Sequence, residues 1–273
     1  KMSEFVAIDG GVTAPKGFKA SGVCAGIKAN ALDLALLVSE TPATVAGMFT
    51  TNAVQAAPVK LCKRVLASGT ASSVVVNSGC ANACTGAAGM EAAEKTAAAT
   101  AAALGIEPDS IFVCSTGTIG KPLPVGKIKA GLPVAVEALS AHGGGEAAHA
   151  IMTTDTVAKQ HAVSFELEGK TVHVGGMAKG AGMIEPNMAT MLAFLTTDAA
   201  VSQTALQSCL KKAVTRSFNR VTVDGDQSTN DTVLLIANGA SETPLLDESH
   251  PAWGTFEAAV ADVALALATM MVK

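Results

Sequence analysis

Apolar and polar positions along the chain follow two rhythms. The run SVVVN at 73–77 is short, β-branched and unbroken, as a buried strand is. It passes directly into SGCANACTGAAG at 78–89. From Met90, apolar positions then recur at Ala93, Ala97, Ala101 and Leu104, with Glu91 one turn from Lys95 and Gly105 closing the period. The segment therefore predicts strand, glycine-rich loop and helix. The same order returns with IFVC at 111–114, STGTIG at 115–120 and helical periodicity over 125–139, beyond Pro122 and Pro124. Two such units predict a layered α/β architecture.

Further on, GGGE at 143–146 reads as the most flexible joint of the chain. Alternating stretches at 162–167 and 171–174 predict a hairpin with Glu168, Gly169 and Lys170 at its turn. A buried strand is predicted over 189–195. A helix follows over 202–214, with Leu206, Leu210 and Ala213 on one face and Lys211 and Lys212 off it. The pattern closes with a strand at 232–237 and a helix at 253–271 whose Phe256, Val260, Val263 and Leu267 point inward. No repeat of solenoid type is present.

Composition narrows the class. A chain of 273 residues is long enough for a large core, in one large domain or two ordinary ones. Apolar residues are 49% and charged residues 15%, too hydrophobic for disorder and enough to raise the question of a membrane span. The most apolar segment, 263–272, is ten residues long and follows Glu257 and Asp262. That falls short of the roughly 20 residues a bilayer requires. A soluble protein is expected, and a cytoplasmic one, since no leader-like segment opens the chain. The net charge of −4 without any basic cluster gives no footprint for nucleic acid or for an acidic membrane. The six cysteines read as reduced thiols. Cys80 and Cys84 are spaced C-x3-C with no second pair and no nearby histidine, so no metal site is expected.

The candidate chemistry begins in AKGAGMIEPNMATMLAFLTTD at 178–198. Thr190 has two readings. It is an ordinary β-branched residue at a strand start, or it is a nucleophile that attacks the carbonyl of the small residue Ala189 and frees its own amine. That amine, with a reference pKa of about 7.7–8.0, would then serve as base to the adjacent hydroxyl. Such chemistry needs an oxyanion site, and CSTGTIG at 114–120 offers small residues whose backbone N–H groups can converge after a strand. An ordinary turn explains it equally. Lys179 has glycines close by that would let substrate approach, though on spacing alone it reads as a solvated surface lysine. VDGDQSTNDT at 223–232 fails as a calcium loop, because Thr229 and Leu235 stand where glycine and glutamate are needed. It reads instead as a tight polar turn whose side chains cap backbone groups, with magnesium on one or two of its carboxylates as the alternative reading. The five histidines form no ligand or triad spacing.

The order of these stretches is more specific than any of them. AGMFTTNAVQAAPV (46–59), NSGCANACTGAAG (77–89), STGTIG, AIMTTDTVAK (150–159), KGAGMIEPNMATMLAFLTTD and SFNRVTVDGDQSTNDT (217–232) together closely resemble the ornithine acetyltransferase family of arginine biosynthesis, also called glutamate N-acetyltransferases. The resemblance covers essentially the whole chain. It implies self-cleavage between Ala189 and Thr190, with Thr190 as the acetyl carrier and Thr116 and Gly117 as the oxyanion-hole pair. Thr153, Lys179 and Thr190 become substrate contacts. The implied reaction moves acetyl from N2-acetylornithine to glutamate in a ping-pong scheme that uses neither cofactor nor metal. Some members are bifunctional, which brings in acetyl-CoA as a donor. No nucleotide fingerprint in the chain decides that point.

The implied fold is an α/β (α+β layered) sandwich like that of the self-cleaving hydrolases with an N-terminal Thr or Ser nucleophile. The whole of 1–273 corresponds to one catalytic region, with 1–189 matching the family's α chain and 190–273 the start of its β chain. The resemblance implies that two of each assemble as a heterotetramer. The family's chains continue past the position of Lys273, where the resemblance puts an acidic substrate contact and others near the C-terminus. The competing readings are an amide hydrolase or aminopeptidase with the same nucleophile, and an uncleaved, inactive precursor.

Overall fold

This computed structural model describes residues 5–181, 191–220 and 228–272. In chain order its strands are β1 (Val6–Ile8), β2 (Phe18–Val23), β3 (Leu34–Phe49), β4 (Thr70–Cys80), β5 (Ile111–Thr118), β6 (Lys159–Leu167), β7 (Lys170–Lys179), β8 (Leu192–Thr197) and β9 (Thr232–Ala237). The helices are α1 (Ala57–Leu66), α2 (Gly86–Leu104), α3 (Val125–Glu137), α4 (Gly144–Ala150), α5 (Gln203–Arg216) and α6 (Trp253–Met270). The strands form one mixed sheet in the order β1-β6-β7-β8-β9-β3-β4-β5, with β2 paired to β3 off that path. The β4/β5 and β8/β9 pairs are parallel.

Alternation in the central strands separates two cores. In β8, Leu192 and Phe194 join the apolar cluster of α1–α4, while Ala193 and Leu195 join that of α5 and α6. In β9, Leu234 and Ile236 divide from Val233, Leu235 and Ala237 in the same way. A strand buried on both faces loses the polar half of its alternation, and both strands are buried throughout. The layered α/β expectation holds. Helix α6 has the length and composition to cross a membrane, but Phe256, Val260, Val263 and Leu267 are fully buried in the second cluster. Each side chain so buried contributes about 1.5–3 kcal/mol.

Strand β3 joins the two ends of the sheet. Its first half pairs with β4 and its second with β9, across a register shift between Val38 and Ala43 where Glu40, Thr41 and Pro42 are exposed. The hairpin of β6 and β7 closes as expected. Leu167 pairs with Lys170, and Glu168 and Gly169 both take positive φ, 51° and 78°, as a two-residue turn requires.

Two expectations need correction. GGGE at 143–146 is no flexible joint: Gly144 opens α4, and a Cβ on Gly143 would lie 1.9 Å from the Ala20 carbonyl oxygen. The glycines there permit close packing of α4 on β2. STGTIG is not all loop either, because β5 continues through Thr118 and pairs Thr116 with Ser78 and Gly117 with Gly79. The strand expected over 189–195 runs Leu192–Thr197, and positions 189 and 190 lie outside the described residues.

Candidate active site

The ends of β5, β7 and the segment before β6 meet at one buried cation. Lys179, the last residue of β7, is 2% exposed, which overturns its reading as a solvated surface lysine. Its Nζ donates to Thr116 Oγ1 at 3.0 Å and to Thr153 Oγ1 at 2.9 Å. Residues far apart in sequence thus share one ammonium. Burial lowers the Lys179 pKa below the ordinary lysine range; Asp155 and Asp231 oppose this, while Lys159 and Lys28 add to it. An ammonium has three donors, so the two threonine bonds leave one for a ligand oxygen.

Asp155 builds the floor of the site. Its Oδ1 accepts from Lys159 Nζ at 2.6 Å and from the Gly180 amide at 2.8 Å, and its Oδ2 accepts from the Thr153 amide at 3.2 Å. The carboxylate therefore fixes Thr153 and the residue after Lys179 together. Burial pushes the Asp155 carboxyl up, but the Lys159 hydrogen bond, the Gly180 amide and the charges of Lys179 and Lys159 outweigh it and hold it below the usual aspartate range. The pair is buried, with side chains 0% and 3% exposed. Asp155→Ala leaves Lys159 uncompensated and is expected to cost about 3–5 kcal/mol in urea denaturation at neutral pH. Because the folded pKa is depressed, this stabilisation is present above the unfolded aspartate value of about 3.9 and is lost as pH falls through the folded value. The gap between variant and wild type should therefore close in acid.

A second set of contacts braces β5. Asn230 Nδ2 donates to Ala81 O at 2.6 Å and to Ser115 O at 2.9 Å, while Ser115 Oγ donates to Asn77 Oδ1 at 2.6 Å. The Thr50 hydroxyl holds Ser228 O, and the Thr50 amide holds Asp231 O. The described part of the 223–232 turn thus caps backbone groups, as its composition suggests. Asp231 is fully buried, and its Oδ1 accepts the Met191 amide at 2.9 Å. Burial pushes its carboxyl up to about 7, against the pull of the Met191 amide, the nearby Ser228 hydroxyl and the Lys179 charge.

Of the predicted site residues, Thr116, Thr153 and Lys179 come together directly, and Gly117 follows Thr116 at an exposed position. Ala189 and Thr190 lie outside the described residues; Met191, next in sequence, is tied to Asp231. Asp155, Lys159, Asn230 and Asp231 were not singled out from sequence. The available signals are the i,i+4 spacing of Asp155 and Lys159 and the polar composition of 223–232. An open cleft lined by Lys28, Asn30, Leu32, His149, Met152 and Thr153 reaches the site from outside. Among the described residues no cluster of three or more His, Cys, Asp or Glu side chains is placed to hold a metal.

The fold defines a class. The structure of an L-aminopeptidase D-Ala-esterase/amidase from Ochrobactrum anthropi, described as a variant of the Ntn hydrolase fold, matches with a TM-score of 0.57 over 97% of this chain and 87% of that one, at 12% identity. That likeness is one of fold alone. At the level of family the match is direct: the ArgJ family model spans residues 19–273, and the chain belongs to the ArgJ family. It is 51% identical over 274 aligned residues to the arginine biosynthesis bifunctional protein ArgJ of Thermosynechococcus vestitus, covering 100% of this chain and 65% of that protein. Against its counterpart from Symbiobacterium thermophilum it is 53% identical, covering 95% and 65%. The chain thus spans about two thirds of the length of these curated relatives. The crystal structure of ornithine acetyltransferase from Mycobacterium tuberculosis, complexed with ornithine, matches with a TM-score of 0.62 and 48% identity over 67% of this chain and 98% of that one. The Bacillus halodurans ArgJ structure matches with a TM-score of 0.63 and 40% identity over 69% and 100%.

Proposed function

We propose that the chain carries the nucleophile of an acyltransferase of arginine biosynthesis, which cuts itself between Ala189 and Thr190 and then moves acetyl from N2-acetylornithine to glutamate. Acetyl-CoA is a further donor for a bifunctional member. The observation that carries the reading is the Lys179 ammonium bonded to the hydroxyls of both Thr116 and Thr153. It places a cation between the proposed oxyanion pair and a proposed substrate contact.

The coverage of the solved relatives adds support. The Bacillus halodurans chain is matched along 100% of its length by 69% of this one. A first piece ending at Ala189 would be 189 of 273 residues, also 69%. The names of the relatives and the ornithine held by the M. tuberculosis structure supply the substrate class.

In this reading the Thr190 hydroxyl first adds to the Ala189 carbonyl, and the peptide nitrogen leaves as the threonine amine. Water then hydrolyses the resulting ester, freeing the Ala189 carboxyl and the Thr190 hydroxyl. In turnover the hydroxyl attacks the acetyl carbonyl and passes its proton to that amine. The Thr116 and Gly117 pair stabilises the oxyanion, and ornithine departs with the proton. Glutamate reverses these steps to take the acetyl group. Lys179 orients substrate as a point charge. The mature enzyme is a cytoplasmic assembly of two α and two β chains.

Intact mass under denaturing conditions, after incubation with N2-acetylornithine, reads cleavage and adduct together. Two pieces are expected, the downstream one heavier by an acetyl group. Thr190→Ala should give one uncut chain and no detectable transfer; a cut at 189/190 in that variant would overturn the assignment. Acetyl release that proceeds unchanged without glutamate would make the protein a hydrolase instead.

A further inference from the structure

The loop between β2 and β3 brings a second cation to the site. Asp33, fully buried, accepts the Ala25 amide on Oδ1 at 2.6 Å and the Lys28 amide on Oδ2 at 2.8 Å. Its own amide donates to Val23 O and its carbonyl accepts the Ser78 amide, which ties the loop to β2 and β4. Lys28 then lays its stem over Gly79, where an added Cβ would lie 2.9 Å from Lys28 Cγ. Gly79 is the strand partner of Gly117. At its far end Lys28 Nζ donates to Met152 O at 2.8 Å, one residue before Thr153.

That bond uses one of the three donors of an ammonium. The side chain is half-buried and lines the open cleft together with Asn30, Glu146, His149 and Thr153. Among the described residues no carboxylate forms a salt bridge with it. Burial lowers the Lys28 pKa below the ordinary lysine range, and the charges of Asp33, Asp155 and Cys24 oppose this. A partly desolvated cation with donors to spare carries a cost that a paired one avoids. Its charge also reaches Lys179, adding to the lowering that burial begins there.

The separation of the two cations is bounded. Met152 O and Thr153 Oγ1 are five covalent bonds apart and so lie no more than about 5.5 Å from each other. With Lys28 on the first at 2.8 Å and Lys179 on the second at 2.9 Å, the ammonium groups stand at most about 11 Å apart. The outer oxygens of an extended five-carbon dicarboxylate are about 7 Å apart, and a hydrogen bond of about 2.8 Å at each end lets it bridge that span.

We propose that Lys28 is a specificity-determining residue for the acetyl acceptor: Lys179 holds the α-carboxylate beside the oxyanion pair, and Lys28 holds the side-chain carboxylate of glutamate in the cleft. The inference rests on the acetyl-transfer reading. N2-acetylornithine carries an ammonium where glutamate carries that carboxylate, so Lys28 repels it, while Glu146, exposed on the same cleft, attracts it. One cation thus favours the acceptor and hastens the departure of ornithine.

The test separates the half-reactions in the full-length protein, wild type against Lys28→Met, which keeps the stem over Gly79 and loses the charge. Intact mass follows acetylation by N2-acetylornithine, then deacetylation by glutamate or by glutamine. The rate constant with glutamate is expected to fall about 10- to 100-fold, the loss typical of a hydrogen bond to a charged group. Acetylation by the donor should stay level or rise by up to about threefold, as for a partly screened repulsion removed. The preference for glutamate over glutamine should vanish, and Lys28→Arg should recover most of it. Parallel losses with glutamate, glutamine and donor would make Lys28 a brace for Met152 and overturn the proposal, as would an unaltered preference. Should Lys28→Met fail to fold, the wild type decides: it is expected to take glutamate at least about tenfold faster than glutamine, and parity overturns the proposal. Failure of the underlying reading looks different: the wild type gains no acetyl from the donor, or glutamate does not remove it.

Discussion

Lys179→Met is expected to lower kcat/KM for acetyl transfer by about 10²- to 10³-fold while leaving the fold as stable as before, or more so. The two halves of this expectation have separate causes. Lys179 is buried at 2% exposure, and its charge is desolvated. Replacing such a cation by an apolar side chain of similar length removes that cost, and buried ionic groups so replaced often gain stability. Catalysis is expected to move the other way. The ammonium is the shared donor to Thr116 and Thr153, and if the site acts as proposed, removing one aimed donor typically costs this much in rate. The measurement pairs steady-state kinetics with urea denaturation. Transfer retained within about threefold would remove Lys179 from the chemistry. A large loss of stability would mean that the lysine is there to hold the fold.

The elements that sequence predicts well are those with one period and one partner environment. Helix α2 repeats small apolar residues every turn and ends at Gly105, which takes the left-handed cap. Strand β3 was missed for the opposite reason: its middle, with Glu40, Thr41 and Pro42 exposed, looks like a turn, and only partners at both ends show that the strand continues across it. Helices α1 and α4 were missed too. The first is short and opens at a proline, the second begins in glycines that otherwise signal a joint. At the site, the family's motif order points to Thr116, Thr153 and Lys179. Asp231 and Asn230 take their meaning from partners distant in sequence, at Met191, Ala81 and Ser115. No local pattern encodes those encounters.

Gly117→Ala is expected to destabilise the protein by about 3 kcal/mol or more, and to impair transfer in whatever fraction still folds. A Cβ at this position would stand 2.5 Å from the Gly79 carbonyl carbon, 2.7 Å from the Cys80 nitrogen and 2.8 Å from the Gly79 Cα. All three are backbone atoms of the neighbouring parallel strand, so no side chain can swing aside. The residue also sits at φ +127°, which an alanine adopts only with strain. Overpacking and backbone strain each cost about 1–3 kcal/mol. Relief requires β4 and β5 to part where Ser78 pairs with Thr116, which draws the Thr116 hydroxyl away from Lys179. Gly120→Ala separates the two causes. It too has positive φ, +78°, but nothing lies within 4 Å of its added Cβ, so strain alone predicts a loss of about 1–2 kcal/mol. Equal losses in the two variants by urea denaturation would show that the close approach of β4 and β5 at Gly79 is not what demands glycine at 117.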